Sequence, residues 1–225
     1  MAKRKTKEVQ YEDLIDIEER VGRASLGLMS NQVWHEDPKR MVFVLARYKF
    51  VARILEGKCS ALEIGCADAF GTRIVQQALP RVTAVDFDPI FIEDAKARLH
   101  PNWPIDLQVH DILDGPVSGR YDAAYCVDVL EHISPEKEPA FIENIIASID
   151  PTGMAIFGIP SIESQEYATT QSKVGHVNCK SGPELKSLML RYFHNVMVFS
   201  MNDEVVHTGF YPMAHYLFAV CCGPR

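Results

Sequence analysis

Apolar positions in this chain fall into short runs separated by segments of helical spacing, and the alternation is regular from about residue 38 to residue 160. Met41, Val44, Leu45, Tyr48, Val51, Ala52 and Leu55 recur every three or four positions, with Lys39, Arg40, Arg47, Lys49 and Arg53 among them. That spacing predicts an amphipathic helix, and Gly57 is placed to stop it. Apolar runs at about 61–64, 82–85, 105–109, 123–127 and 154–159 predict five strands. Helical signals lie between them. Ile74, Val75 and Leu79 precede the breaker Pro80; Ile92, Ala95 and Leu99 follow an Asp88-Pro89 start; Phe141, Ile142, Ile145, Ile146 and Ile149 follow Ser134-Pro135. Strand and helix in regular turn predict an α/β domain whose parallel sheet is covered on both faces.

The pattern is different at the two ends. Residues 1–25 are polar and acidic, with Tyr11, Leu14, Ile15 and Ile17 as the expected packing points of a helical, partly mobile segment. The stretch 31–38 reads as a loop carrying Trp34 and two acids, suited to a lid. Beyond the fifth strand, residues 160–180 are polar, lack a period and hold Tyr167, His176 and Cys179; a connection this long in a compact domain is usually functional or disordered. Ser181 and Glu184 then make a capping box for a helix with Leu185, Leu188, Met189 and Tyr192 on one side. Two more strands, about 195–200 and 215–221, finish the chain around a polar loop at 201–213. The organisation expected is an N-terminal extension at 1–38 and one domain at 39–225 with an acceptor-loop insertion at about 160–180.

Composition narrows the class. At 225 residues with 47% hydrophobic and 24% charged positions, the chain has material for one sizeable core. A formal charge of −7 argues against a general nucleic-acid binder. The basic cluster at residues 2–7 reads as a solvated tail. Six cysteines without a C-x-x-C pair suit reduced thiols in a cytoplasmic protein rather than a disulfide framework or a zinc site. No signal-like apolar region follows the first residues, and the run 214–222 is interrupted by His215 and too short to span a bilayer.

The first predicted strand ends in Glu63, is followed by Gly65, and the second ends in Asp86, 21 residues after that glycine. A nucleoside-binding βαβ unit needs an acid at about this distance to meet the ribose hydroxyls. The turn itself, Gly65 followed by Cys66, Ala67, Asp68 and Ala69, lacks the glycines of a pyrophosphate cradle, and Asp68 would repel a pyrophosphate. An adenosine donor with a cationic sulfonium has no such conflict.

Leu62-Glu-Ile-Gly-Cys66, Val85-Asp-Phe-Asp88, His110-Asp-Ile112 and Cys126-Val-Asp-Val-Leu-Glu-His-Ile133 together resemble the class I S-adenosylmethionine-dependent methyltransferases, in particular the small-molecule branch that includes ubiquinone-pathway and sugar O-methyltransferases. The resemblance covers about residues 40–159, with the remainder similar in outline. It implies a Rossmann-like, seven-stranded, mostly parallel sheet with helices on both faces and the last strand antiparallel. It further implies that Glu63, Gly65 and Cys66 hold the methionine end of S-adenosylmethionine, and that Asp86 takes the ribose hydroxyls. Phe87 would pack on the adenine, Asp111 and Ile112 would meet its amino edge, and Cys126 and Asp128 would lie near the sulfonium. Arg47 is implied as partner of the cofactor carboxylate. The family usually shows glycine where this chain has Ala67 and Ala69; alanine makes a tight turn only where φ stays negative, so a slightly wider turn is expected.

On the acceptor side His176 is expected as general base for a hydroxyl, against a solvated loop histidine, and His132 as catalytic or as a structural group bonding the loop backbone. His110 is expected to pack at the sheet edge. Trp34, His35, Tyr167, Phe210 and Tyr211 are candidates to line an acceptor pocket, a core or lid role being open for each. A metal site would need Asp128, His132 and His176 to converge; no ligand pair has a diagnostic spacing, and none is assigned. The leading reading is O-methyl transfer to a small polar acceptor, a sugar or glycan intermediate in polysaccharide or natural-product synthesis. The alternatives are a quinone or phenol acceptor, an NAD-dependent oxidoreductase, and a non-catalytic cofactor-binding protein.

Overall fold

The computed structural model describes residues 4–225, without the side chain of Gln171. The reading of residues 2–7 as a solvated tail thus falls partly outside the described residues. Eight strands form one sheet: β1 (Ser60–Ile64), β2 (Arg81–Asp86), β3 (Asp106–Val109), β4 (Tyr121–Val127), β5 (Ile149–Pro160), β6 (Phe193–Asn202), β7 (Val205–His207) and β8 (Tyr216–Pro224). Their order is β3-β2-β1-β4-β5-β8-β6-β7. The first five are mutually parallel, and β8 enters antiparallel between β5 and β6. The seven expected strands are all present; the eighth, β7, is a three-residue hairpin partner of β6 inside what reads as a loop.

Alternation along each strand sorts the side chains into two cores. Leu62, Ile64, Ala124, Cys126, Ala155 and Phe157 face α6 (Glu138–Ser148) and α8 (Gly182–Met189). Ala61, Val82, Ala123, Tyr125 and Ile156 face α3 (Pro38–Ile54), α4 (Thr72–Gln76) and α5 (Pro89–Arg98). Asp88 caps α5 by accepting from the Ile90 amide, with Pro89 in the first turn, and the Ser181–Glu184 capping box starts α8. Leu99 is 38% exposed beyond the end of α5 rather than inward. Helix α6 begins at Glu138, one turn after Ser134, whose carbonyl accepts from the Lys137 and Glu138 amides.

The ends depart from the pattern-based reading. Residues 12–21 form α1 (Glu12–Val21), but Tyr11, Leu14 and Ile17 are exposed instead of packed. The expected loop at 31–38 is largely helical: α2 (Leu28–Glu36) buries none of its residues. Its exposed amides are satisfied from outside, Leu28 N–H donating to Asp94 and Ser30 N–H to Asp68. Acids of α5 and of the turn after β1 thus cap α2 in place of its own residues. The segment after β5 contains a short helical turn at Glu163–Tyr167 and α7 (Thr170–Gly175). All six cysteines are free, and among the described residues no helix is long and apolar enough to cross a membrane.

Candidate functional site

The chain runs outward from β1 to β2 and β3, then returns to β4 beside β1. That reversal opens a crevice at the carboxyl ends of β1 and β4, the place where open α/β sheets bind ligands. The predicted residues sit at or just beyond the carboxyl ends of β1 (Glu63, Gly65, Cys66), β2 (Asp86, Phe87), β3 (Asp111, Ile112) and β4 (Cys126, Asp128). The turn after β1 is tight. Gly65 has φ +71° and an added Cβ would stand 2.5 Å from Val129 Cγ2, so glycine is required twice over. Ala67 and Ala69 also sit in the left-handed region, at φ +46° and +53°. The expected wider turn with negative φ is therefore not what forms: the turn keeps the shape glycines would give and stores backbone strain instead.

Asp86 is what holds that shape. One carboxylate oxygen accepts from the Ala67 amide at 2.8 Å and the other from the Asp88 amide at 3.0 Å, coupling the ends of β1 and β2. Asp68 accepts from Ser30 and Phe70 amides, so its charge is spent on α2 and the turn. Gly71 begins the next helix so close to the Tyr48 ring that a Cβ there would overlap it. The helix N-terminus that would cradle a pyrophosphate is covered by an aromatic ring.

Glu63 points from β1 toward α3 and is buried with Tyr125, whose hydroxyl donates to it at 2.7 Å. Burial drives its pKa up to about 7, against the pull of the neighbouring Thr72, Tyr125 and Tyr48 hydroxyls. Cys66 and Cys126 are buried, and desolvation pushes both thiols above the usual range, which leaves them inert. Phe87 lies 70% exposed at the end of β2, and Asp111 accepts from the Leu113 amide beside the buried Ile112. His110 is held at the sheet edge through its contact with the Gly115 carbonyl.

At the tip of β4 the backbone turns sharply. Asp128 has φ +59° and its amide donates to the Gly158 carbonyl of β5. Its carboxylate accepts from Arg47 Nη1 at 2.5 Å. Arg47 is buried on α3, and its guanidinium lies 3.8 Å over the centre of the Tyr216 ring. Arg47 Nε, the Tyr216 hydroxyl and both carboxylate oxygens of Glu131 are buried with no hydrogen-bond partner among the described residues. So many orphaned polar atoms around one crevice do not belong to a closed core. Desolvation, with Asp128 nearby, raises the Glu131 pKa well above the carboxylate range.

The two histidines meet although 44 positions separate them. The Glu131 carbonyl accepts from both the Val177 and Asn178 amides, tying the segment after β5 to the turn after β4. Asn178 and Lys180 further anchor it on Glu138 of α6. His132 and His176 rings then lie 5.2 Å apart, edge to face. His132 Nδ1 contacts the Gly175 carbonyl and His176 Nδ1 the Gln165 amide oxygen, both at 2.9 Å. Donation through Nδ1 leaves each Nε2 as a lone-pair site. Burial, with His132 beside it, lowers the His176 pKa and favours the neutral ring. The ligand atoms of Glu131, His132 and His176 all lie within 4.8 Å of one another, a set able to hold a metal ion. The convergence the sequence could not show thus occurs around Glu131, while Asp128, three residues earlier, is paired with Arg47. Glu131 itself was missed as a site residue; the i, i+3 spacing from Asp128 was the available signal. Of the pocket candidates, Tyr211 packs over Gly182 of α8, while Trp34, Tyr167 and Phe210 are exposed.

Residues 61–153 match the family model described as a methyltransferase domain. The ubiquinone biosynthesis O-methyltransferase of Xanthomonas axonopodis pv. citri (strain 306) is 26% identical over 136 residues, which is 57% of this chain and 56% of that relative. The chain thus matches little more than half the length of that curated relative. The N-methyltransferase NodS from Bradyrhizobium japonicum WM9, solved in complex with S-adenosyl-L-homocysteine, superposes with a TM-score of 0.60 at 20% identity, covering 85% of this chain and 91% of that one. The DhpI–SAH complex superposes at 0.63 and 20% identity, covering 87% and 92%. These structural likenesses establish the fold.

Proposed function

We infer that this chain, whose residues 61–153 match a methyltransferase-domain family model, uses S-adenosylmethionine to methylate a hydroxyl of a small polar acceptor. The observation that carries this reading is the set of groups on the switch-point crevice: Glu63, Asp86, Asp111 and Asp128 at four strand ends, with buried Arg47 among them. A cofactor with a ribose diol, an ammonium, a sulfonium and one carboxylate matches that set group for group. In this reading Asp86 meets the ribose, Asp111 with Ile112 the adenine, and Phe87 packs on its face. Glu63, Gly65 and Cys66 bound the methionine tail, Arg47 exchanges Asp128 for the cofactor carboxylate, and Cys126 lines the floor near the sulfonium. A dinucleotide fits poorly, because Tyr48 covers the helix N-terminus beside Gly71 and Asp68 stands next to it.

Transfer of a methyl group from sulfur is an in-line displacement that needs alignment, exclusion of water and an activated acceptor oxygen. His132 and His176 supply the activation, each with an Nε2 lone pair on the acceptor side. The segment 160–180 forms the acceptor wall, and α2, clamped to Asp68 and Asp94, acts as a lid over the donor turn. The polar character of these walls favours a sugar-like or glycan-type acceptor. A phenolic or quinol acceptor is the second reading, motivated by the ubiquinone-pathway relative. Incubation with methyl-labelled S-adenosylmethionine and panels of sugars, nucleotide sugars and phenols, with product identified by mass, separates the two. Labelled product from a hydroxyl acceptor is expected, and His176→Ala should lower turnover by about 100-fold or more while leaving S-adenosylhomocysteine affinity within about twofold. Equal turnover in the variant would remove His176 from the mechanism.

A further inference from the structure

We propose that the cavity enclosed by α8, β6 and the loop between β7 and β8 is a second acceptor subsite, which takes an anionic group, phosphate or carboxylate, on a sugar-like acceptor. Its role toward an acceptor rests on the methyl-transfer reading; the anion site itself stands on the cavity and its lining.

The cavity measures about 320 Å³ and is walled by Pro183 and Lys186 of α8, Val198 and Ser200 of β6, and Thr208 and Tyr211 of the loop. That volume is at the small end of ligand pockets and suits one sugar unit with its substituent. Three features give its chemistry. Lys186 makes no salt bridge among the described residues, whereas Lys180 is spent on Glu138 and Asn178. It stands in the second turn of α8, close to the positive end of that helix. Glu184, the acid of the first turn, is turned back on Ser181, whose N–H and hydroxyl donate to it at 2.8 and 2.7 Å. Second, Ser200 is 3% exposed, and its hydroxyl reaches the Gly209 carbonyl only at 3.5 Å. That is beyond the roughly 3 Å limit of a well-made O–H···O bond, so a buried donor stands at the wall almost unused. Third, the Tyr211 ring forms one wall because Gly182 is bare: a Cβ there would stand 3.1 Å from the ring. An aromatic ring offers a surface to the apolar face of a sugar, while the ammonium and the hydroxyls donate to an anion.

The position of the cavity gives its relation to the transfer site. Strand β6 is antiparallel to β8, which is antiparallel to β5, so β6 runs in the direction of β1–β5. Ser200, near the end of β6, therefore lies on the same edge of the sheet as Asp128 beyond β4. Ser161 at the end of β5 joins the two places, donating through its hydroxyl to the Ala214 carbonyl and through its amide to that of His215. In the order β4-β5-β8-β6 three strand spacings separate them, about 14 Å. One pyranose ring cannot bridge that distance. An acceptor that fills both places carries its anionic group on a neighbouring unit, as in a uronate-containing oligosaccharide or a sugar linked through phosphate.

The test titrates the full chain, labelled with 15N, with glucose 1-phosphate, glucuronate and glucose, and follows the amide resonances. Saturable shifts at Gly182, Lys186, Ser200 and Gly209 are expected with the two anionic probes and not with glucose. Affinity should fall at least about 10-fold in Lys186→Ala and about fivefold in Ser200→Ala, and stay within about threefold in Lys186→Arg. Lys186 is exposed and Ser200→Ala deletes a single oxygen, and equal melting temperatures show that the variants fold. Tighter binding of glucose 1-phosphate assigns the anion as phosphate, and tighter binding of glucuronate assigns it as carboxylate. Absence of shifts at these amides with both anions, an equal response to glucose, or affinity unchanged in Lys186→Ala overturns the proposal. A parallel titration with S-adenosylhomocysteine separates the two readings: its binding without anion binding removes the subsite alone, and anion binding without it removes the methyl-transfer reading alone.

Discussion

Replacing Ala67 and Ala69 together by glycine should stabilise the protein, and the magnitude follows from the backbone. Both alanines sit at positive φ, +46° and +53°, where an L side chain costs about 1–2 kcal/mol per residue relative to the right-handed region. Glycine removes that cost and adds about 0.5–1 kcal/mol of extra chain entropy to the unfolded state. The net gain is about 0.5–1 kcal/mol per site, or about 1–2 kcal/mol for the pair. For a chain of this size 1 kcal/mol moves the melting temperature by about 2–4 °C, so a rise of about 4 °C is expected by calorimetry. Gly65→Ala provides the opposite sign, since φ is +71° and the new Cβ would meet Val129. The amide of residue 67 still reaches Asp86 in the double glycine variant, so S-adenosylhomocysteine affinity should change little. A melting temperature that stays level or falls in the double variant would refute the claim that this turn is strained.

Two further outcomes follow from the buried charges. Glu63 has its folded pKa raised to about 7 by burial, so in the folded state it keeps its proton where the unfolded chain has lost it. Stability from this group is complete below the ordinary carboxylate pKa and is lost as pH rises to about 7, a contribution of about 3 kcal/mol. Urea denaturation between pH 4.5 and 8 should show Glu63→Gln with a clearly shallower decline than the parent; an identical decline would place the titration elsewhere. Arg47→Ala should weaken S-adenosylmethionine binding at least about 10-fold, seen as a raised KM with a smaller change in kcat, because the proposed role of the guanidinium is toward the donor carboxylate and not the acceptor. An unchanged KM would separate Arg47 from the cofactor carboxylate.

The strands and the helices α3, α5 and α8 were legible because their apolar periodicity and caps are local. Helix α2 was not, because it buries nothing and takes its caps from Asp68 and Asp94, residues 38 and 66 positions away from Ser30 and Leu28. The exposure of Leu14 and Ile17 likewise depends on what α1 has to pack against, which spacing does not report. Strand β7 is too short to carry a pattern. In the site, the acids at strand ends could be read from position, whereas the left-handed alanines could not: propensity argued for a wider turn, and the Asp86 and Val85 hydrogen bonds override it. Glu131 looked like one polar residue of a motif until its burial was visible. Its meeting with His176 depends on two backbone amides, Val177 and Asn178, converging on one carbonyl.

In the proposed reading the carboxyl ends of β1 and β4 bind a methyl-donor nucleoside through the acids at the strand ends. Isothermal titration of the full chain with S-adenosylhomocysteine tests it most directly, alongside Asp86→Ala with its fold checked by circular dichroism. One site per chain with affinity on the order of micromolar is expected in the parent, with a loss of at least about 10-fold in the variant. No binding to the parent, or the same affinity in a folded Asp86→Ala protein, would contradict it.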